Sequence, residues 1–167
     1  MTAGSSCARA FVALGANIGE PVKHLRAAVV DLAALPGTRV VARSSLYRSA
    51  PVGLLNQPDF INAVVAVDTL LAPLELLHQL LAIEARHGRV RSIPNAPRTL
   101  DLDLLLHGNA VLYGSELTLP HPRLHQRAFV LRPLLEIDAE LVLPGLGPAR
   151  DHLPSVADQD ISLFEPL

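Results

Sequence analysis

The hydrophobic positions of this chain follow two different periods, one typical of strands and the other typical of helices. Apolar runs bounded by turn residues predict strands at 8–14, 38–48, 59–68 and 100–106. Apolar residues at helical spacing predict helices at about 20–34, 73–87 and 128–136. The sequence contains no internal repeat and no glycine-rich nucleotide motif. This loose alternation predicts an α+β domain around a mixed or antiparallel sheet.

Turn and capping residues mark the ends of several predicted elements. The tripeptide Gly-Ala-Asn at 15–17 is typical of a turn and predicts the end of the first strand. Pro73 at the start of the second helix and Gly88 just beyond its end are typical helix boundaries. Periodicity weakens after about Ile137, and the segment 145–167 carries no motif that predicts a role.

Length and composition set the class of protein. The 167 residues suffice for one ordinary domain, which we predict to span 1–167. Hydrophobic residues make up 50% and charged residues 18%, which excludes a disordered chain. The net charge of −2 argues against a general basic surface for nucleic acid or anionic membranes. We expect a cytoplasmic protein, because the sequence shows no secretory signal and no apolar stretch near the ~18 residues that span a bilayer.

Two aspartates on the predicted strand 100–106 form the strongest local signal for chemistry. Asp101 and Asp103 share one face of a strand, about 7 Å apart, because alternate side chains point the same way. Such oxygen ligands favour Mg²⁺, which fills its other positions with water and phosphate oxygens. The alternative is a solvated strand face with leucines packed behind it.

Cationic residues surround this pair in the sequence. Arg89, Arg91 and Arg98 precede the aspartates in a proline-interrupted segment, and His121 and Arg127 follow them. Guanidinium groups beside a metal-binding pair are typical of polyphosphate transfer, because they neutralise the phosphates and hold them in fixed geometry. Surface ion pairs of small energetic value are the alternative.

Two further polar residues lie in apolar surroundings. Asn62 falls inside the apolar run 60–67, where its amide either bonds to neighbouring backbone or offers a donor and an acceptor to a flat heterocycle. Phe60 or Phe129 would stack on such a ring. Glu84 occupies a mostly apolar helical stripe and is therefore either a partly buried acid or a pocket residue.

Seven sequence blocks, in matching order, resemble the 6-hydroxymethyl-7,8-dihydropterin pyrophosphokinase family over about residues 10–144. The blocks are 13–17, 45–51, 57–62, 83–84, 88–91, 97–103, and 119–121 taken together with 127–131. The run Pro-Arg-Thr-Leu-Asp-Leu-Asp at 97–103 is highly specific to this family. The resemblance implies a ferredoxin-like α+β fold with helices on both faces of an antiparallel sheet.

The resemblance also implies a reaction in folate biosynthesis. The pyrophosphoryl group of ATP would pass to the hydroxymethyl group of the pterin, with release of AMP. By the same resemblance, Asp101 and Asp103 would bind two Mg²⁺ ions that bridge the ATP phosphates, and Arg89 and Arg98 would be catalytic. The implied partners are these two small substrates, without nucleic acid or membrane, and the implied state is a monomer.

Substrate-binding residues follow from the same matching blocks. The resemblance implies that the pterin contacts Ser49, Ala50, Val52, Phe60, Asn62 and Phe129. It implies that ATP contacts Glu84, Arg91, Leu104, Thr118, His121 and Arg127. Asn95 lies nearest the position where many members carry a loop Trp, and Glu116 replaces an arginine of some members. We therefore predict weaker substrate binding with the chemistry retained.

Two other functions are compatible with the same features. One is a different Mg²⁺-dependent nucleotide transferase that reuses the pterin pocket. The other is a non-catalytic relative on the same fold, although the intact aspartates and arginines argue against it. A ferredoxin-like nucleic-acid module is disfavoured, because the chain has only two Tyr, four Phe and no Trp for base stacking.

Overall fold

An antiparallel sheet forms the centre of the molecule in a computed structural model, which describes residues 6–51, 56–88 and 99–167. In chain order the strands are β1 (Ala8–Ala16), β2 (Thr38–Arg43), β3 (Leu46–Ser49), β4 (Phe60–Thr69), β5 (Asp101–His107), β6 (Leu112–Tyr113), β7 (Thr118–Leu119), β8 (Val142–Leu143), β9 (Gly147–Pro148) and β10 (Ile161–Glu165). The helices are α1 (Pro21–Ala33), α2 (Pro73–Arg86) and α3 (Ala128–Ile137), with 3-10 helices at Leu124–Gln126 and Ala149–Val156. The three helices and the strands predicted at 8–14, 59–68 and 100–106 are confirmed.

The main sheet has the order β10-β3-β4-β1-β5, and β2 also pairs with β4. The five strand pairings in it that the described residues form are all antiparallel. One edge of β4 pairs with two strands, β3 along its first residues and β2 along its later residues, and the other edge pairs with β1.

Helices cover both faces of this sheet, as the predicted ferredoxin-like α+β fold requires. Alternate residues of β1 enter two separate cores: Val12 and Leu14 pack with α1 and α2, whereas Phe11 and Ala13 pack with α3. The described part of the chain contains no helix that is long and apolar enough to cross a membrane.

The predicted strand 38–48 is wrong as a single element, because Ser44 and Ser45 divide it into β2 and β3. The hydroxyl of Ser44 accepts a hydrogen bond of 2.9 Å from the Val64 amide, in place of a backbone carbonyl. The amide of Ser45 turns instead to the carboxylate of Glu136 on α3, at 2.9 and 3.1 Å. Side-chain bonds of this kind compete with the sheet ladder and end a strand.

Two other boundaries differ from the sequence prediction. The first strand does not stop before 15–17, because Gly15 and Ala16 continue the ladder with β4. The segment after 145, for which no element is predicted, adds the strand β10, which pairs with β3. β10 is short and largely exposed, so its residues show no clear hydrophobic period.

Candidate active site

A cleft opens on the face of the sheet that α3 covers. Residues from five elements and one loop line it: Ala13, Leu14 and Gly15 of β1, Ser49 of β3, Ala50 just beyond it, Phe60 and Asn62 of β4, Asp101 and Asp103 of β5, and Arg127 and Phe129 at the start of α3. Residues expected to bind the pterin and those expected to bind metal therefore share one cavity, although they are far apart in the sequence.

A glycine forms part of the cleft floor. In the sheet register Gly15 lies between Asn62 of β4 and Asp101 of β5, so these three residues form one row across three strands. A Cβ atom at Gly15 would stand 3.4 Å from the Oδ1 atom of Asn62. The absent side chain thus leaves space between an amide and a carboxylate. Glycine inside a strand is typical of such close approaches, and this signal was missed in the sequence.

Asn62 is buried, with 4% of its surface exposed, and a side chain holds its amide in place. Its Nδ2 atom donates to the hydroxyl of Ser49 at 2.7 Å, with longer contacts of 3.5 Å to the carbonyls of Tyr47 and Phe60. The sequence left a structural bond and a ligand-binding role as alternatives. In the structure the amide nitrogen of Asn62 donates to Ser49, and the Asn62 side chain also lines the cleft.

The two aspartates project from β5 into the cleft, as the strand alternation predicts. Asp101 pairs with Gly15 and Asp103 pairs with Ala13, whereas the intervening Leu102 belongs to the opposite core. Leu104 packs in that same core, so its side chain faces away from the cleft and its predicted contact with ATP stays a prediction.

Glu84 supports this strand from α2. It is 2% exposed, and its Oε2 atom accepts a hydrogen bond of 2.7 Å from the backbone amide of Leu102. β5 is the last strand of the main sheet, so the carboxylate satisfies an amide between the two aspartates. The structure shows a buried acid, and Glu84 is not among the described residues that line this cleft, so its predicted contact with ATP stays a prediction.

His121 and Arg127 lie on the cationic side of the site. Burial lowers the pKa of His121 to about 4, and the positive charge of Arg127 acts in the same direction. The nearby carboxylate of Asp101 acts in the opposite direction. His121 is therefore neutral at neutral pH and offers a hydrogen bond rather than a positive charge.

Arg127 and Phe129 form the wall of the cleft at the start of α3, whereas Ser49 lines the cleft from β3. The guanidinium carbon of Arg127 lies 5.4 Å from the centroid of the Phe129 ring, within the range of a cation–π contact. Arg127 itself has an extended backbone and begins α3. One wall therefore carries both a phosphate-binding type of side chain and an aromatic ring.

Two of the remaining residues that the sequence singled out lie in the described part of the chain but away from the cleft. Thr118 lies in β7, where it pairs with Tyr113, and it does not line the cleft. The exposed carboxylate of Glu116 bonds to His78 at 2.9 Å. Val52, Arg89, Arg91, Asn95 and Arg98 lie outside the described residues, so their predicted roles stay predictions.

Comparison with known proteins identifies relatives of this chain over most of its length. Residues 11–139 match the family described as 7,8-dihydro-6-hydroxymethylpterin-pyrophosphokinase (HPPK). A protein of Haemophilus influenzae named 2-amino-4-hydroxy-6-hydroxymethyldihydropteridine pyrophosphokinase is 43% identical over 157 residues, which cover 94% of this chain and 98% of the relative. A Pseudomonas aeruginosa protein of the same name is 50% identical over 148 residues, which cover 89% of each chain.

Solved structures support the same fold. A Plasmodium falciparum HPPK-DHPS triple mutant, crystallised with pteroate, superposes with a TM-score of 0.73 at 14% sequence identity. The match covers 92% of this chain and 44% of that chain, so this chain spans less than half of the solved protein. At this identity the likeness establishes the fold alone.

Proposed function

This chain belongs to the 7,8-dihydro-6-hydroxymethylpterin-pyrophosphokinase family, and we propose that the cleft is its active site. The enzyme transfers the β,γ-pyrophosphoryl group of ATP to the hydroxymethyl group of 6-hydroxymethyl-7,8-dihydropterin in folate biosynthesis and releases AMP. One observation carries the residue assignment: an amide and aromatic rings suited to a flat heterocycle line the same cavity as two carboxylates.

The pterin is proposed to lie against Ser49 and Ala50, between the rings of Phe60 and Phe129. Aromatic rings at two sides would hold a flat heterocycle by stacking. Because the Nδ2 atom of Asn62 donates to Ser49 and also lies 3.5 Å from the carbonyls of Tyr47 and Phe60, its Oδ1 atom is the group that would accept a hydrogen bond from a pterin N–H. This pairing would select the heterocycle and direct its hydroxymethyl group towards the aspartates.

Asp101 and Asp103 are proposed to hold two Mg²⁺ ions together with ATP. Their carboxylates are hard oxygen donors on one wall of the cleft, a set that fits Mg²⁺ bound through phosphates. The described residues contain no group of three or more His, Cys, Asp or Glu placed to hold a metal, so phosphate and water oxygens would complete the coordination. When bound, the ions would neutralise negative charge on the phosphates.

The protein's own groups would act mainly by positioning and by charge. Arg127, with Arg89, Arg91 and Arg98 as further predicted contacts, would bind phosphate oxygens through guanidinium forks. The pterin hydroxyl oxygen forms a bond to the β-phosphorus, and the bond from that phosphorus to the bridging oxygen of AMP breaks. The hydroxyl proton leaves to solvent. No covalent enzyme intermediate is needed, because orientation and electrostatic stabilisation carry such transfers.

A nucleotide analysis of one reaction tests this proposal. Purified chain, MgATP and 6-hydroxymethyl-7,8-dihydropterin should yield AMP, and no AMP should form when the pterin is omitted. The variants Asp101→Asn and Asp103→Asn should lose AMP formation, whereas Asp151→Asn, which changes an exposed aspartate of a 3-10 helix, should retain it. ADP in place of AMP would mean attack at the γ-phosphorus, and nucleotide binding without turnover would favour a non-catalytic relative.

Three expectations from the sequence stay predictions. These are the monomeric state, the cytoplasmic location and the absence of a nucleic-acid or membrane partner. Gel filtration of the purified chain, with and without MgATP, would test the first of them directly.

A further inference from the structure

The C-terminal segment, to which the sequence assigns no role, touches both walls of the cleft. On one side the carbonyl of Asp160 accepts a hydrogen bond of 3.4 Å from the Ala50 amide. The next residue, Ile161, pairs with Ser49 and begins β10. These contacts fix the end of β3, where Ser49 and Ala50 line the cleft.

On the other side the Gln159 side chain bonds to the backbone around Arg127. Its Oε1 atom accepts from the Ala128 amide at 2.8 Å. Its Nε2 atom donates to the Gln126 carbonyl at 2.9 Å. One planar amide thus joins the residue before Arg127 to the residue after it.

The bond from Gln159 satisfies a backbone amide at the start of α3 that has no partner in the local sequence. The first amides of a helix have no partner within the helix, and α3 has no side-chain hydrogen bond from its own N-cap residue, Arg127. Gln159 supplies the missing acceptor from a position 31 residues later in the chain. Because both bonds are made by one rigid group, the backbone of Arg127 is held in its extended conformation between them.

We propose that Gln159 is a positioning residue for the reaction, which sets the position of Arg127 and Phe129 relative to Ser49 and Ala50. This inference rests on the substrate-binding roles proposed above for Arg127 and Phe129. Gln159 itself lines the outer part of the groove, next to Arg127 and Phe129, and needs no direct contact with the substrate. The residues 159–161 then act as a strap that fixes the distance between the two walls.

A steady-state comparison of Gln159→Leu with the unchanged chain tests the positioning role. Leucine keeps the approximate size of the side chain and removes both hydrogen bonds. The Michaelis constants for ATP and for the pterin should each rise about five- to tenfold, while kcat changes by less than about twofold. Gln79→Leu makes the same chemical change on α2, which packs on the opposite face of the sheet, and both constants should then stay unchanged.

A second variant separates the two hydrogen bonds. Gln159→Glu keeps an oxygen acceptor for the Ala128 amide and loses the donor to the Gln126 carbonyl. Its Michaelis constants should fall between those of the unchanged chain and Gln159→Leu. This partial rescue also keeps the test decisive if Gln159→Leu does not fold, because a folded Gln159→Glu with unchanged constants would overturn the proposal.

If Gln159 only stabilises the start of α3 and does not position the substrate-binding residues, the Michaelis constants behave differently. In that case Gln159→Leu lowers the melting temperature but leaves both Michaelis constants within about twofold of the original values at a temperature where the variant is folded. Arg127→Ala and Phe129→Ala distinguish this failure from failure of the proposed function. If those two variants raise the constants and Gln159→Leu does not, the inference about Gln159 is wrong. If neither of them raises a constant, the substrate-binding assignment is wrong as well.

Discussion

The carboxylate of Glu84 on α2 accepts a hydrogen bond of 2.7 Å from the backbone amide of Leu102, which lies between the two aspartates of the cleft. The bond joins α2, which packs on one face of the sheet, to β5, which is the last strand in the order of the sheet. A buried acid thus acts through the backbone on the face of the sheet that carries the cleft, and it links the packing of α2 to the position of Asp101 and Asp103.

The first prediction concerns this bond. Glu84→Ala leaves a buried amide without its acceptor and should lower the free energy of unfolding by about 2 kcal/mol or more. It should also weaken Mg²⁺-dependent ATP binding, because the strand that carries both aspartates loses its lateral support. Glu84→Gln keeps an oxygen acceptor for the Leu102 amide. It should therefore lose less unfolding free energy and less affinity for MgATP than Glu84→Ala. Urea unfolding and calorimetric titration with MgATP measure the two effects, and equal losses in both variants would contradict the explanation.

The second prediction concerns the cleft floor. Gly15→Ala should fold normally, because its Cβ would meet the Oδ1 atom of Asn62 at an acceptable 3.4 Å and alanine is favoured over glycine in a strand. The added methyl group would occupy space where the pterin is proposed to lie. We expect a several-fold higher Michaelis constant for the pterin and a smaller change for ATP. A variant that binds the pterin as well as the unchanged chain would place the heterocycle away from Gly15.

The third prediction follows from His121. Its folded pKa of about 4 lies below the ordinary value of 6.5, mainly because the ring is buried. The contribution of His121 to the free energy of unfolding is therefore fully present above about pH 6.5. It is lost as the pH falls towards 4, because the unfolded chain binds the proton at a higher pH than the folded chain does. The loss amounts to at most about 3 kcal/mol. The free energy of unfolding of the ligand-free chain should therefore fall more than that of His121→Gln as the pH is lowered through this window. Parallel curves would contradict the assignment.

The fourth prediction concerns a histidine pair outside the cleft. The Nδ1 atoms of His24 on α1 and His87 at the end of α2 lie 2.8 Å apart, and the Nε2 atom of His87 lies 3.0 Å from Asp31. Only one proton fits between the two Nδ1 atoms. Burial is the main reason why the pKa of His24 is lowered, and the charges of His87 and Lys23 lower it further. The negative charge of Glu20 acts in the opposite direction.

Acid should therefore weaken the contact between α1 and α2. The folded pKa of His24 lies below 6.5, so its stabilising contribution is present above that pH and decreases below it. His24→Gln should show a smaller loss of unfolding free energy between about pH 7.5 and about pH 5 than the unchanged chain. Denaturant titrations at the two pH values measure this difference, and an equal or larger loss in the variant would disprove the role of the pair.

Much of the fold was accessible from the sequence, because local periodicity specifies local structure. Alternating and helical patterns located the strand regions and the three helices, and strand alternation placed Asp101 and Asp103 on one face. The prediction of one strand at 38–48 was wrong because the partners of Ser44 and Ser45 lie on β4 and α3. Neither partner leaves a signal near residue 44.

The sequence by itself determined the family, the fold class and the residue types of the site, since these depend on spacing within short blocks. Tertiary structure decided what those residues contact: the row that places Gly15 between Asn62 and Asp101, the bond from Ser49 to Asn62, and the strap at 159–161. Each of these contacts joins segments far apart in the chain. Periodicity reports which face of an element is buried, whereas the partner across a sheet or at a helix end is fixed only when the whole chain has folded.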